Sequence, residues 1–189
     1  VSSAATVISA QVNMTTTGSV TEQFNTLATS GSSNAWTDNS TIANWYWQRS
    51  GTGTTYAANS GGSNAGNAYS FGTGTNTDRA MGSVGSGNAA AGDFASGVLL
   101  RNTSGTTITD IKVTYTGEQW RRENVAAQVV SFYYKISSSA ISALQPNANA
   151  TWTAVSALDF SSPQNSATAG ALDGNSAANR TTFTQIPIP

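Results

Sequence analysis

The chain has 189 residues and a formal net charge of -1, with eight Lys and Arg, nine Asp and Glu, and neither His nor Cys. Charged residues are 9% of it, where an ordinary soluble domain carries roughly a quarter. This excludes a phosphate-tracking nucleic-acid surface, which needs clustered cations, and catalysis that depends on imidazole or thiolate.

Val1-Ser2-Ser3-Ala4-Ala5 reads as a mature N-terminus left after signal cleavage. In the segment that follows, Ile8, Ala10, Val12 and Met14 alternate with Val7, Ser9, Gln11 and Asn13. That is a strand with one mostly apolar face. Residues 1–14 are expected to form an N-terminal extension, and residues 15–189 a single β domain. The extension is either an ordinary first strand of its own sandwich or a donor strand that completes a neighbour's sheet. Further strands are expected over 21–27, 42–48, 67–72, 78–84 and 94–101. The segment 111–117 alternates cleanly, with Ile111, Val113 and Tyr115 on one face and Lys112, Thr114 and Thr116 on the other. Residues 125–136 are apolar on both faces and predict a central strand covered on each side. Strands over 151–155 and 180–186 complete the set, and Ser138–Leu144 is allowed one helical turn. Loops such as Ser50-Gly51-Thr52-Gly53 and Gly61-Gly62-Ser63-Asn64 carry the residues that tight turns require. Short strands between such turns predict an all-β chain, an antiparallel β-sandwich or jelly roll. No apolar run approaches the ~20 residues of a membrane-spanning helix.

The nine acids fall in no catalytic motif, and no Gly-rich stretch carries the Lys-Ser/Thr of a phosphate loop. Calcium is the one cofactor the composition tolerates. Asp38, Asp93 and Asp173 sit beside Asn or Gly in loops and are the candidate oxygen ligands, although turn capping is the more ordinary role of such aspartates. Trp45 and Trp47 share one side of a strand and are expected in the core. Trp36 and Trp152 lie beside polar loops and are the candidates for contact with a glycan.

Asn67-Ala68-Tyr69-Ser70-Phe71-Gly72, Thr77-Asp78-Arg79-Ala80-Met81-Gly82-Ser83 and Tyr115-Thr116-Gly117-Glu118-Gln119-Trp120-Arg121 resemble segments of a recurrent secreted bacterial β-sandwich module. So do Ala157-Leu158-Asp159-Phe160, Ala169-Gly170-Ala171-Leu172-Asp173-Gly174-Asn175 and Ala177-Ala178-Asn179-Arg180-Thr181. The module accompanies extracellular nucleases, phosphatase-like enzymes and surface proteins as a non-catalytic accessory. The resemblance covers about residues 20–186, and Gly-Glu-Gln-Trp-Arg is its most specific part. It implies an extracellular or cell-surface location, a jelly-roll-like fold and no defined ligand. Arg79 and Glu118 match charged positions of its pattern. They suggest an ion pair or hydrogen-bonded clamp with Trp120 and Arg121 alongside, in which Glu118→Gln is expected to destabilise; a ligand site is the alternative.

The module's pattern continues into two further strands, whereas this chain stops at Ile186-Pro187-Ile188-Pro189. A sheet without its closing strands is expected to expose unpaired backbone. Joined to a spare N-terminal strand, this predicts head-to-tail assembly of copies into a filament or sheath. A glycan-binding or surface-adhesion module is the alternative.

Overall fold

The structure, a computed structural model, describes residues 11–15, 18–124, 126–141, 143–144, 151–165 and 168–189. Ile8 and Ala10 of the N-terminal strand lie outside the described residues. The chain is all-β with several sheets, compatible with a β-sandwich and not closed into a barrel. The helical structure among the described residues is 3-10, as in the turns Ser156–Leu158 and Ala177–Asn179. No helix among them is long and apolar enough to cross a membrane.

The main sheet has four strands, β2 (Asn34–Ala35), β4 (Thr55–Asn59), β5 (Asn67–Phe71) and β6 (Ala80–Val84), in the order β2-β4-β5-β6. Beside it lie the pairs β3 (Trp45–Arg49) with β7 (Phe94–Val98), and β9 (Ile111–Glu118) with β16 (Arg180–Ile188). Four short pairs complete the description. They join β1 (Val12–Met14) to β8 (Leu100–Asn102), β10 (Arg121–Arg122) to β15 (Gly170–Ala171), β11 (Val129–Val130) to β14 (Phe160–Ser161), and β12 (Tyr133–Tyr134) to β13 (Thr153–Ala154). Pairing is antiparallel except for β4 with β5, which makes the main sheet mixed, and β1 with β8.

The core forms on both faces of the main sheet because β4 and β5 alternate. Tyr56 and Ala68 point to one cluster with Leu27, Ile42 and Trp47, against which Trp45 and Phe94 pack. Ala57, Tyr69 and Phe71 point to a second cluster closed by Trp120. Trp47 belongs to the first cluster, and Trp45 is half-buried against it.

Two strand expectations and one helical turn are corrected. Residues 125–136 do not form a doubly covered strand. Their described part makes two two-residue strands, with Val129, Val130 and Ile136 at 55%, 68% and 84% exposure. The strand covered on both faces is β5. Valine and aromatic content reports fit to a pleated surface, and coverage depends on what packs above it. Residues 21–27 form turns: the Glu22 carboxylate accepts from the Phe24 amide at 2.6 Å, and Phe24 takes a φ of +59°. A side chain that bonds its own backbone two residues on competes with the ladder. The described residues of Ser138–Leu144 show bends at Ser138 and Ser139 and no helical turn.

Candidate functional site

The segment Gly117–Arg121 is a junction that ties distant parts of the chain together. Phe160 lies over Gly117, where a Cβ would come within 2.3 Å of its ring. The buried Gln119 side chain pairs with the Gln164 backbone as a strand would, accepting from its amide at 2.8 Å and donating to its carbonyl at 2.7 Å. Trp120, 4% exposed, stacks on Phe71 with 6.2 Å between ring centroids and 5° between planes. Its carbonyl accepts from the Leu172 amide at 2.8 Å and rests on Gly61, whose φ of +88° and lack of a Cβ permit the approach. Arg121 bonds Glu123 at 2.7 Å and reaches the carbonyls of Gly61 and Gly62.

Arg79 and Glu118 are not joined by an ion pair; those among the described residues are Lys112–Asp110 and Arg121–Glu123. Arg79 is buried and donates from Nε to the Ser70 hydroxyl at 2.8 Å, with further bonds to the carbonyls of Ser70 and Gly74. It therefore pins the connection between β5 and β6. Burial pulls its pKa down from the ordinary value. Glu118 instead accepts from the Trp120 indole at 2.9 Å, so that part of the proposed clamp is brought together while Arg79 stands apart.

Burial pushes the Glu118 carboxyl above its ordinary value; the indole bond and Arg180 oppose the rise, while Asp78 and Asp173 add to it. The folded state then holds that proton more tightly than the unfolded chain. The resulting stabilisation is complete below the ordinary value of 4.5 and is lost as pH rises through the raised folded value. Glu118→Gln keeps an acceptor for Trp120 and removes the buried charge. The variant is expected to be at least as stable as the parent at pH 7 and to lose this component of the pH dependence. Melting temperatures between pH 4 and pH 7 test this, and a large loss of stability at pH 7 contradicts it.

The described part of the N-terminal strand pairs within its own chain. Val12, Asn13 and Met14 run parallel to Leu100, Arg101 and Asn102, held by Val12 N–H to the Leu99 carbonyl and Thr103 N–H to the Met14 carbonyl, both at 2.9 Å. Val12 and Met14 are half-buried, and neither belongs to either core cluster.

The β9/β16 ribbon is the longest pairing. On one face Ile111, Val113, Tyr115, Phe183, Ile186 and Ile188 are half-buried, while Lys112, Thr114 and Thr116 are exposed on the other. Tyr115 stacks on Phe183 at 4.6 Å and donates to the Leu158 carbonyl, so this end of the apolar face is anchored. Burial pushes the Tyr115 phenol up to about 12, with Asp159 adding to the shift. Among the described residues β9 pairs with β16 alone, leaving its other edge open. Pro187 interrupts the donor row of β16, whereas all eight residues of β9 retain their N–H.

The proposed calcium ligands lie in separate turns. The Asp38 carboxylate accepts from Trp36 Nε1, the Trp47 amide and Gln48 Nε2 at 2.7, 2.8 and 2.7 Å. Asp93 is tied to Ser50, and Asp173 caps the turn through Asn175 and Ser176. Among the described residues no group of three or more acidic side chains is placed to hold a metal.

Trp152 is half-buried, its indole nitrogen enclosed and without a hydrogen-bond partner among the described residues. Trp36 is half-buried too, but lines a cleft of about 460 Å3 with Asp38, Trp47, Gln48, Arg49 and the loop Gly51–Thr54. Sequence reasoning missed Gln48, Arg49, Thr52 and Thr54 here; the signal was the closeness to Trp47 of the first two, at the end of β3, and of the Gly-Thr loop that carries the others.

Comparison of the chain with protein-family models, curated proteins and solved structures finds no match.

Proposed function

We propose that the chain is a non-catalytic extracellular structural subunit that assembles with copies of itself, residues 1–14 of one copy adding as a strand to β9 of the next. The open edge of β9 carries this reading: eight residues without proline, beside an apolar face that is only half-buried. An unpaired edge of this kind templates another strand. A two-stranded ribbon is marginal by itself and gains from a third strand.

The donor has matching character, since Ile8, Ala10, Val12 and Met14 form its apolar face. Among its described residues, release gives up the three-residue parallel pairing with β8, and parallel pairing is slightly the weaker kind. With a net charge of -1 and 9% charged residues, little repulsion opposes close packing of copies. Donor and acceptor are different surfaces, so the contact is heterologous and propagates into a filament or sheath rather than closing as a dimer. The extracellular location rests on the resemblance of the Gly117–Arg121 segment and its neighbours to the secreted module.

Cysteine cross-linking tests the contact, since the chain has no cysteine of its own. Ala10→Cys chains are mixed with Val113→Cys chains and linked with a short bismaleimide. The expected product is a mixed pair at twice the subunit mass. Absence of that pair, with both variants folded, contradicts the strand donation. A second reading, a glycan- or surface-binding accessory module, is favoured by the aromatic cleft beside Trp36.

A further inference from the structure

We infer that the cleft between β3 and the Gly51–Thr54 loop is a binding site for a neutral carbohydrate. The inference deepens the second reading and does not depend on assembly. Its wall is built from Trp36 and Trp47, with ring centroids 5.3 Å apart and planes at 88°. Tyr56 supports both rings from the core, at 6.3 Å from Trp36 and 5.8 Å from Trp47. An indole surface suits the C–H face of a pyranose, which is apolar in the middle and hydroxylated at its rim.

The charged side chains around this wall are already committed. Three donors occupy the Asp38 carboxylate. Arg49 donates to the Thr55 carbonyl at 2.7 Å and to Asn67 at 3.1 Å, and its guanidinium lies 5.0 Å from the centre of the Phe94 ring. Gln48 bridges Asp38 and the Leu144 amide. One carboxylate and one guanidinium therefore leave a lining that is neutral in sum and fixed in position. Among the described residues the Arg49 guanidinium is held by neutral acceptors and the Asp38 carboxylate by three donors, so neither projects alone into the cleft.

The loop opposite offers the polar groups a sugar needs. The Thr52 and Thr54 hydroxyls make no hydrogen bond within the described residues, so both remain available as donor and acceptor. The loop holding them is anchored: Ser50 N–H bonds the Asp93 carbonyl at 2.9 Å, Thr52 N–H the Ala89 carbonyl at 3.1 Å, and Gly53 N–H the Ala90 carbonyl at 3.0 Å. A fixed loop and a fixed aromatic wall lose little freedom on binding. The volume of about 460 Å3 lies within the range of small-molecule sites.

Isothermal titration of the full chain with cellohexaose, chitohexaose and xylohexaose tests the inference, with hydrogen exchange locating the contact. At least one oligosaccharide is expected to bind with a Kd on the order of 1 mM or tighter, protecting backbone amides within residues 47–54. Thr52→Val is expected to weaken that binding about tenfold and Trp36→Ala to remove it. Trp36 also packs on the core, so Thr52→Val decides the matter if Trp36→Ala fails to fold. No heat and no protection with any of the three sugars overturns the inference. Protection elsewhere, or binding unchanged in Thr52→Val, overturns it too. Each result is read whether or not the chains assemble.

Discussion

Trp120→Ala is expected to destabilise the fold by about 3–5 kcal/mol, the cost of truncating a buried tryptophan. Against a typical domain stability of about 5–15 kcal/mol, that loss is large enough to bring the protein to the edge of unfolding at ambient temperature. The indole is 4% exposed, lies flat against Phe71 and closes the second core cluster. Its removal opens a void between β5 and the chain segments that Gly61 and Leu172 bring to the Trp120 backbone. It also strips Glu118 of its indole donor. Trp120→Phe keeps an aromatic ring against Phe71 and loses only the indole bond and part of the volume, so it should cost well under half as much. Urea unfolding followed by circular dichroism gives both values from the shift in midpoint. Equal midpoints for the parent and Trp120→Ala contradict a structural junction at Gly117–Arg121.

The sequence made the regular strands legible where one face is apolar and the other polar. Residues 111–117 alternate as read and lie in β9, and the segments around Trp47, Tyr69 and Met81 became β3, β5 and β6. The two-residue strands were not legible, because Arg121–Arg122 and Gly170–Ala171 are paired by the tertiary junction around Trp120 and not by local propensity. Arg79 shows the same limit at the level of a side chain. Its acceptors are a serine hydroxyl and backbone carbonyls, which depend on the path of the chain between β5 and β6. A sequence displays carboxylates as partners for a buried cation and does not display carbonyls. Asp38 was legible as a loop acid, but its three donors include the Trp47 amide, nine residues away. Its role depends on β3 folding back beside Trp36.

Deleting residues 1–14 is expected to have the largest effect on assembly with little effect on the fold. The described residues of that segment contribute one three-residue pairing, and none of them lies in either core cluster. The shortened chain should therefore unfold with nearly the parent's cooperativity while its β9 edge stays open. The addition of a peptide of residues 1–14 should fill that edge and cap the subunit. Because the free peptide lacks the covalent link to a next subunit, it should not rebuild filaments alone; joined again to the chain, it should.

The most direct test is sedimentation with electron microscopy on the full chain, the chain lacking residues 1–14, and the full chain with excess free peptide. Filaments from the full chain, monomers from the deletion and shortened polymers in the presence of peptide are the predicted results. A full chain that stays monomeric, or a deletion that polymerises as readily as its parent, would contradict assembly by strand donation.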